Sequence, residues 1–241
     1  MIKRTTAAKL ALLGSLYFAQ GLPFGFFTQG LPVLLRERGV SLEKIGLGAW
    51  LAVPWALKFL WAPLLDRPAP ALLARLFPGQ RRAFLLPVQI ISVLVVAALG
   101  LTAPGGQPAL LPLLCGVFLC NLLAATQDIA TDALAVDTLS EPERGLGNGV
   151  QVAAYRVGMI VGGGVLLVQL ERLGFGGAFL VMAGLLLLAT LPVFTLREAP
   201  RPASSSSSSA PRPDYRDSLL AFLRRPGGPR WLALLALFKF G

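Results

Sequence analysis

Apolar runs of about 20 residues, the length a helix needs to cross a bilayer, recur six times along the chain, near 10–35, 45–65, 83–101, 109–136, 148–170 and 177–196. A seventh begins at Trp231 and reaches only Gly241. At 1.5 Å per residue that last run covers roughly 16 Å, too short to cross, so the pattern predicts a chain that stops inside a helix and reads as a fragment. The expected fold is all-α: a six-span bundle over 1–196, a basic Pro/Ser-rich linker over 197–230, and the truncated start of a second bundle over 231–241.

Polar residues are unevenly shared among these spans. The third carries only Gln89 and Ser92, and the sixth has none until Thr190. The first carries Gln20 and Gln29, the second Lys58, the fourth Asn121, Gln127, Asp128 and Asp132, and the fifth Gln151, Tyr155 and Arg156. Polar groups avoid lipid, so spans 1, 2, 4 and 5 are expected to face a shared interior, with 3 and 6 as outer support. Counted from Asp66, Asp137 and Asn148 as span ends, Lys58, Asp128 and Arg156 lie eight or nine residues in, at one depth of roughly 12 to 14 Å. Asp132 sits one turn from Asp128 on the same helix face.

Two readings of this layer stand side by side. It is a set of salt bridges holding spans 2, 4 and 5 together, because unpaired charge in hydrocarbon is costly. It is also a candidate gate or binding site in which those pairs exchange partners with an anionic solute or a proton. Gly158, Gly162, Gly163 and Gly164 put a small-residue face on span 5, while Pro23, Pro32, Pro54 and Pro63 can kink spans 1 and 2.

Composition agrees with a polytopic membrane protein: 55% hydrophobic residues, 14% charged and a mean hydropathy of +0.68. A net charge of +10 raises nucleic acid as a partner. Yet the basic residues fall in short clusters between apolar runs, which reads as topology. On one side of the spans lie 15 Lys and Arg, on the other four (Arg36, Arg38, Lys44, Arg172), with Lys58, Arg156 and Lys239 inside spans. The positive-inside rule then places the N-terminus in the cytoplasm. The N-terminal Lys3, Arg4 and Lys9 precede an apolar run with no small-residue cleavage site, which predicts an uncleaved first span. Residues 214–225 form a short amphipathic piece suited to the membrane surface. Cys115 and Cys120 share span 4 and are expected to be free thiols, and the absence of His leaves carboxylates as the only proton carriers near neutral pH.

Several segments resemble the AmpG-type muropeptide permeases of the major facilitator superfamily. They are Tyr17-Phe18-Ala19-Gln20-Gly21-Leu22-Pro23-Phe24-Gly25, Pro54-Trp55-Ala56-Leu57-Lys58-Phe59-Leu60-Trp61-Ala62-Pro63-Leu64-Leu65-Asp66-Arg67, Gln127-Asp128-Ile129-Ala130-Thr131-Asp132-Ala133, and Glu143-Arg144-Gly145 with Gly147-Asn148-Gly149 through Gln151 to Arg156. The resemblance implies a major-facilitator bundle in the bacterial inner membrane, working by alternating access. It implies proton-driven import of anhydro-muropeptides for peptidoglycan recycling, with no cofactor, no metal and no nucleic acid. By the same resemblance Asp128 and Asp132 are candidates for proton coupling, and Lys58 and Arg156 for ion pairs with them or with substrate carboxylates. Gln20, Gln127, Gln151 and Tyr155 are candidates for hydrogen bonds to sugar or amide groups. The loop carrying Asp66, Arg67, Arg81 and Arg82 resembles the superfamily's cytoplasmic gate, with Pro68 and Pro70 as departures. An acetyl-CoA or other small-solute carrier of the same superfamily shares this architecture. A Mg²⁺-dependent intramembrane prenyltransferase, suggested by Asp128, Asp132 and Asp137, is the rival from another class.

Overall fold

The computed structural model describes residues 5–37, 39–102, 109–196 and 198, together with 221, 224, 225, 227, 228, 230, 231, 234 and 237. Among the described residues, five helices are long and apolar enough to cross a bilayer: Thr6–Glu37 (span 1), Arg82–Leu101 (span 3), Leu110–Thr138 (span 4), Glu141–Val168 (span 5) and Leu170–Phe194 (span 6). Together they make an all-α membrane bundle.

The expected second span is present but segmented. Helical pieces Leu42–Leu47, Val53–Leu57 and Ala62–Leu65 alternate with 3₁₀ turns at Gly48–Ala52 and Lys58–Leu60. Proline is the local cause, since Pro54 and Pro63 each sit in the opening turn of a piece. There the missing N–H costs nothing, whereas in a continuous helix it would delete a hydrogen bond. The segmented arm packs along span 4.

Span 1 begins at Thr5, whose hydroxyl accepts from the Ala8 N–H at 3.3 Å. It runs through Pro23, and a π turn follows at Phe26–Gly30, two residues before Pro32. Span 5 carries a matching π turn at Val161–Val165, and the two turns pack against each other. Span 6 is broken at Gly174, where φ of 66° is open only to glycine at low cost. The main helix therefore begins close to the expected residue 177.

Span 1 is the hub, touching spans 4, 5 and 6, while span 3 lies between 4 and 6. Its contact with span 5 is backbone to backbone. A Cβ added at Gly21 would run into the Tyr155 carbonyl, and one at Gly162 into the Leu22 carbonyl. Because lipid tails are as apolar as leucine, such close approach rather than water exclusion holds membrane helices together. Phe26, Leu22, Phe179, Met182 and Val96 fill one end of the interior, and Leu13, Leu16, Leu85, Leu86 and Leu134 the other. Leu94, Leu101, Leu187, Leu188 and Phe194 point outward, where acyl chains would receive them.

The chain divides into two compact units, Met1–Ala199 and Pro200–Gly241. In the second, Ala221, Arg224, Gly228, Arg230, Trp231, Leu234 and Leu237 are helical. The Ser204–Ser209 run, most of the amphipathic piece at 214–225 and the last four residues of the seventh run lie outside the described residues.

The glycine seam makes a direct prediction. Gly162→Val is expected to lower the thermal unfolding midpoint in detergent by several degrees, an overpacking cost of about 1–3 kcal/mol. Gly164→Ala, where a Cβ meets nothing within 4 Å, should leave it unchanged. Exposure of the buried Cys120 thiol to a reactive dye reports the transition, and equal midpoints for the two variants would refute the seam.

Candidate functional site

Asp128 lies on the interior side of span 4, and its carboxylate accepts from the Lys58 ammonium of the segmented arm. The Asp128 side chain is 12% exposed and Lys58 34%, so the pair is shielded on one side and open on the other. Lys58 sits 5.7 Å from the centroid of the Trp55 ring, a cation–π contact that steadies the ammonium where water is scarce.

Local geometry explains how the arm presents these groups. Trp55, Lys58 and Trp61 are spaced three apart, and residues i and i+3 line up in a 3₁₀ helix but drift in an α-helix. The 3₁₀ turn at Lys58–Leu60 therefore helps keep all three on the face toward span 4. The Trp55 indole N–H donates to Asn121 Oδ1 at 3.0 Å and that of Trp61 to Thr126 Oγ1 at 3.2 Å. Two indoles thus flank the charged pair.

Asp132 is exposed and takes a different partner: Tyr17 of span 1 donates its hydroxyl to Asp132 Oδ1 at 2.6 Å. Tyr17 itself is 2% exposed. Phe24, one heptad further along span 1, packs at 5.9 Å from the Trp55 ring and 5.8 Å from that of Tyr155. This aromatic cluster joins spans 1, 2 and 5 beside the ion pair. Gln151 and Tyr155 are half-buried and Arg156 is exposed, with its Nη1 donating to Met159 Sδ at 3.8 Å. The layer is therefore one direct pair, one carboxylate held by a phenol, and one arginine outside the ion pairs.

The two remaining glutamines face inward. Gln20 is 1% exposed and donates through Nε2 to Thr131 Oγ1 at 3.3 Å, and Gln127 donates to the Leu16 carbonyl at 3.1 Å. They join spans 1 and 4 behind Asp128.

At the end of the bundle nearest Asp66 lies a second polar group. Arg81 is 6% exposed, and its guanidinium donates to Asp66 Oδ1 and Asp137 Oδ2, both at 3.2 Å, and to the Leu65 carbonyl at 3.3 Å. Glu198 accepts from the backbone N–H groups of Arg81 and Arg82 at 2.9 and 2.6 Å, so a carboxylate sits at the positive N-terminal end of span 3. Arg82 donates to the Leu196 carbonyl at 3.4 Å, while the Arg67 carbonyl accepts from Gln80. Of the four expected gate residues, Arg81 and Asp66 meet in an ion pair and the others border it. Asp137, read from the sequence as a span end, and Glu198 belong to the same group. Nearby, Lys9 donates to Glu143 Oε2 at 2.8 Å. The Thr6 hydroxyl and the Ser140 N–H and hydroxyl donate to the same carboxylate, in the first turn of span 5.

Toward the opposite end, spans 1 and 4 and the start of the arm enclose a cavity of about 620 Å³. Its walls include Phe27, Leu31, Leu51 and Val117, with Thr28, Lys44 and Asn121 as polar members. Asn121 is the same residue that accepts from Trp55, so the cavity floor adjoins the support of the ion pair.

Comparison with known proteins agrees with this architecture. Residues 9–108 match a family model described as acetyl-coenzyme A transporter 1. The whole chain is similar to the anhydromuropeptide permease of Escherichia coli K12, at 34% identity over 249 residues and 47% of that protein's length. An uncharacterised protein of Haemophilus influenzae is 33% identical over 93% of the chain and 52% of its own length. A Rickettsia felis protein named "Putative transporter AmpG 4" is 27% identical over 74% of the chain and 42% of its length. The chain spans about half the length of these relatives.

The ion pair predicts non-additive mutant behaviour. Lys58→Met alone leaves Asp128 without its cation and is expected to destabilise the protein by roughly 1–3 kcal/mol, toward the low end because Lys58 is partly open to solvent. Lys58→Met with Asp128→Asn should recover most of that loss. A double-mutant cycle on thermal unfolding checks it, and additive losses would mean that the two groups do not interact.

Proposed function

The chain belongs to the AmpG-type permease family and is a multi-pass membrane protein related to transporters, and on that premise we propose that it forms part of an importer of anhydro-muropeptides coupled to protons. In this reading the bundle lies in the bacterial inner membrane with its N-terminus in the cytoplasm. It works by alternating access against a further body of comparable size, in keeping with relatives about twice as long. The observation that carries the proposal is the Lys58–Asp128 pair, joining two spans with Asp128 shielded and Lys58 partly open, beside the aromatic cluster that brings in Tyr155 of span 5.

The chemistry follows from what each group offers. An anhydro-muropeptide bears sugar hydroxyls, amides and peptide carboxylates. Arg156 supplies a planar, permanently charged fork for a carboxylate. Gln151 and Tyr155 supply donors and acceptors for hydroxyl and amide groups. Protonation of Asp128 cancels its attraction for Lys58, freeing the ammonium to take a substrate carboxylate, and proton loss on the inner side restores the pair and expels the solute. Asp132, already holding the Tyr17 hydroxyl, is the second carboxylate on that route. Arg81 with Asp66 and Asp137 forms the cytoplasmic clasp that opens for release, with Arg67 and Arg82 at its edge.

A second reading, an acetyl-CoA carrier, is favoured by the family model over residues 9–108. That match stops short of span 4, whereas the permease similarity covers the whole chain. Against the intramembrane enzyme, Asp128, Asp132 and Asp137 are taken by Lys58, Tyr17 and Arg81 respectively, so they do not converge on one point. Transport, not Mg²⁺-dependent turnover, is the reading these partners support.

Uptake into vesicles from cells producing the protein tests it. Labelled anhydro-muropeptide should accumulate under an inward proton gradient, with unlabelled muropeptide competing and acetyl-CoA failing to compete. Asp128→Asn is expected to abolish the pH-driven component. Near-normal uptake by that variant across pH removes Asp128 from coupling, and competition by acetyl-CoA reverses the substrate assignment.

A further inference from the structure

Span 3 was expected to be outer support, yet its single glutamine is turned fully inward. Gln89 is 2% exposed, and neither its Oε1 nor its Nε2 has a hydrogen-bond partner among the described residues. Across from it on span 1, Gln20 spends its Nε2 on Thr131 while its Oε1 is likewise buried without a partner. Both side chains line one small cavity of about 10 Å³ enclosed by spans 1, 3, 4 and 6.

The other polar residues around this cavity each donate to a backbone carbonyl. Ser92 donates to the Val88 carbonyl at 2.9 Å, Thr190 to the Leu186 carbonyl at 2.7 Å and Gln127 to the Leu16 carbonyl at 3.1 Å. What remains is two carboxamides presenting two acceptors and one NH₂ donor group to the same space. Leaving a buried polar group unmade costs about 1–3 kcal/mol, and such groups in folded proteins are almost always satisfied. The cavity volume is about that of one water-sized sphere, and a buried water needs two to four polar partners. A longer solute does not fit.

We propose that this cavity is a binding site for one resident water molecule, which donates to Gln20 Oε1 and is held on its other side by the Gln89 carboxamide. The water ties span 3 to span 1 by hydrogen bonds where the surrounding contact is apolar. It also occupies the second end of Gln20, whose first end is already on Thr131. Gln20 is thereby engaged at both ends within the bundle and is not a solute ligand, a departure from its place among the sequence-predicted substrate contacts. Gln89 is assigned as a water-binding residue. Neither statement depends on what the protein transports.

Radiolytic hydroxyl labelling of the full chain in lipid nanodiscs tests the site, because an internal water generates radicals beside the side chains that touch it. Cys120 and Leu186 line the cavity, whereas the intrinsically reactive Met182 is fully buried away from it. The expected result is oxidation of Cys120 and Leu186 at least several-fold above that of Met182, falling to the Met182 level in Gln89→Leu, with a lower unfolding midpoint for that variant. Labelling of Cys120 no higher than Met182 in the unmodified chain overturns the proposal. So does a raised midpoint in Gln89→Leu, since an apolar side chain improves only a dry site. Should Gln89→Leu fail to fold, the labelling ratio in the unmodified chain decides alone.

Discussion

Hydrocarbon does not tolerate an isolated charge, and the arrangement of spans 1, 2 and 4 follows from that constraint acting on Asp128. A carboxylate at this depth requires a cation or a proton, and the nearest cation in the fold is carried by the span least able to form a continuous helix. The proline-started pieces and 3₁₀ turns of the arm are thus more than a defect. They let Trp55, Lys58 and Trp61 remain on one side and meet Asn121, Asp128 and Thr126 together.

Two seams of the bundle differ in kind, and the difference bears on which parts can move. Spans 1 and 5 meet through glycine, carbonyl against Cα, with matched π turns at the same level. Such a contact has no side chain to swing away and is lost only by wholesale separation. Spans 2 and 4 meet through a lysine, two indoles and their hydrogen-bond acceptors, each of which can be replaced by water or solute at small net cost. The bundle therefore combines a fixed core of spans 1 and 5 with an arm whose attachment is exchangeable. The ion pair sits in the exchangeable seam.

Much of this was legible from composition and periodicity, and the exceptions have identifiable causes. Span positions followed from apolar length, and the meeting of Lys58 with Asp128 followed from equal depth on facing helices. The segmentation of span 2 was less visible because proline in membrane helices is often tolerated without a break, as Pro23 shows in span 1. Arg156 was expected in the same neutral layer. The depth argument fixes height but not partners, and the side chain is exposed and donates to Met159 Sδ instead of joining the pair. Tyr17 escaped notice as a partner of Asp132 because it lies within the apolar run of span 1 and reads as part of it. Phe24, seven residues on, shared its face and was the available signal. Gln89 was assigned to a supporting span on the count of polar residues, a rule that says how many polar groups a helix carries and nothing about where one of them points.

The two ends of the bundle are built on opposite principles, and together they define the conformation. At one end Arg81 gathers Asp66, Asp137 and the Leu65 carbonyl, while Glu198 takes the first N–H groups of span 3, so the ends of spans 2, 3 and 4 and the segment after span 6 are drawn together by charge-assisted bonds. At the other end spans 1 and 4 and the start of the arm part around a largely apolar cavity of about 620 Å³, with Lys44 as its charged wall residue among the described residues. Apolar walls cannot hold an opening shut with directional bonds, whereas a buried arginine holding two carboxylates can. The Lys58–Asp128 pair lies between these two ends. In the proposed transport cycle, a change in its charge state would act on an arm that is clasped by Arg81 at one end and borders the cavity at the other.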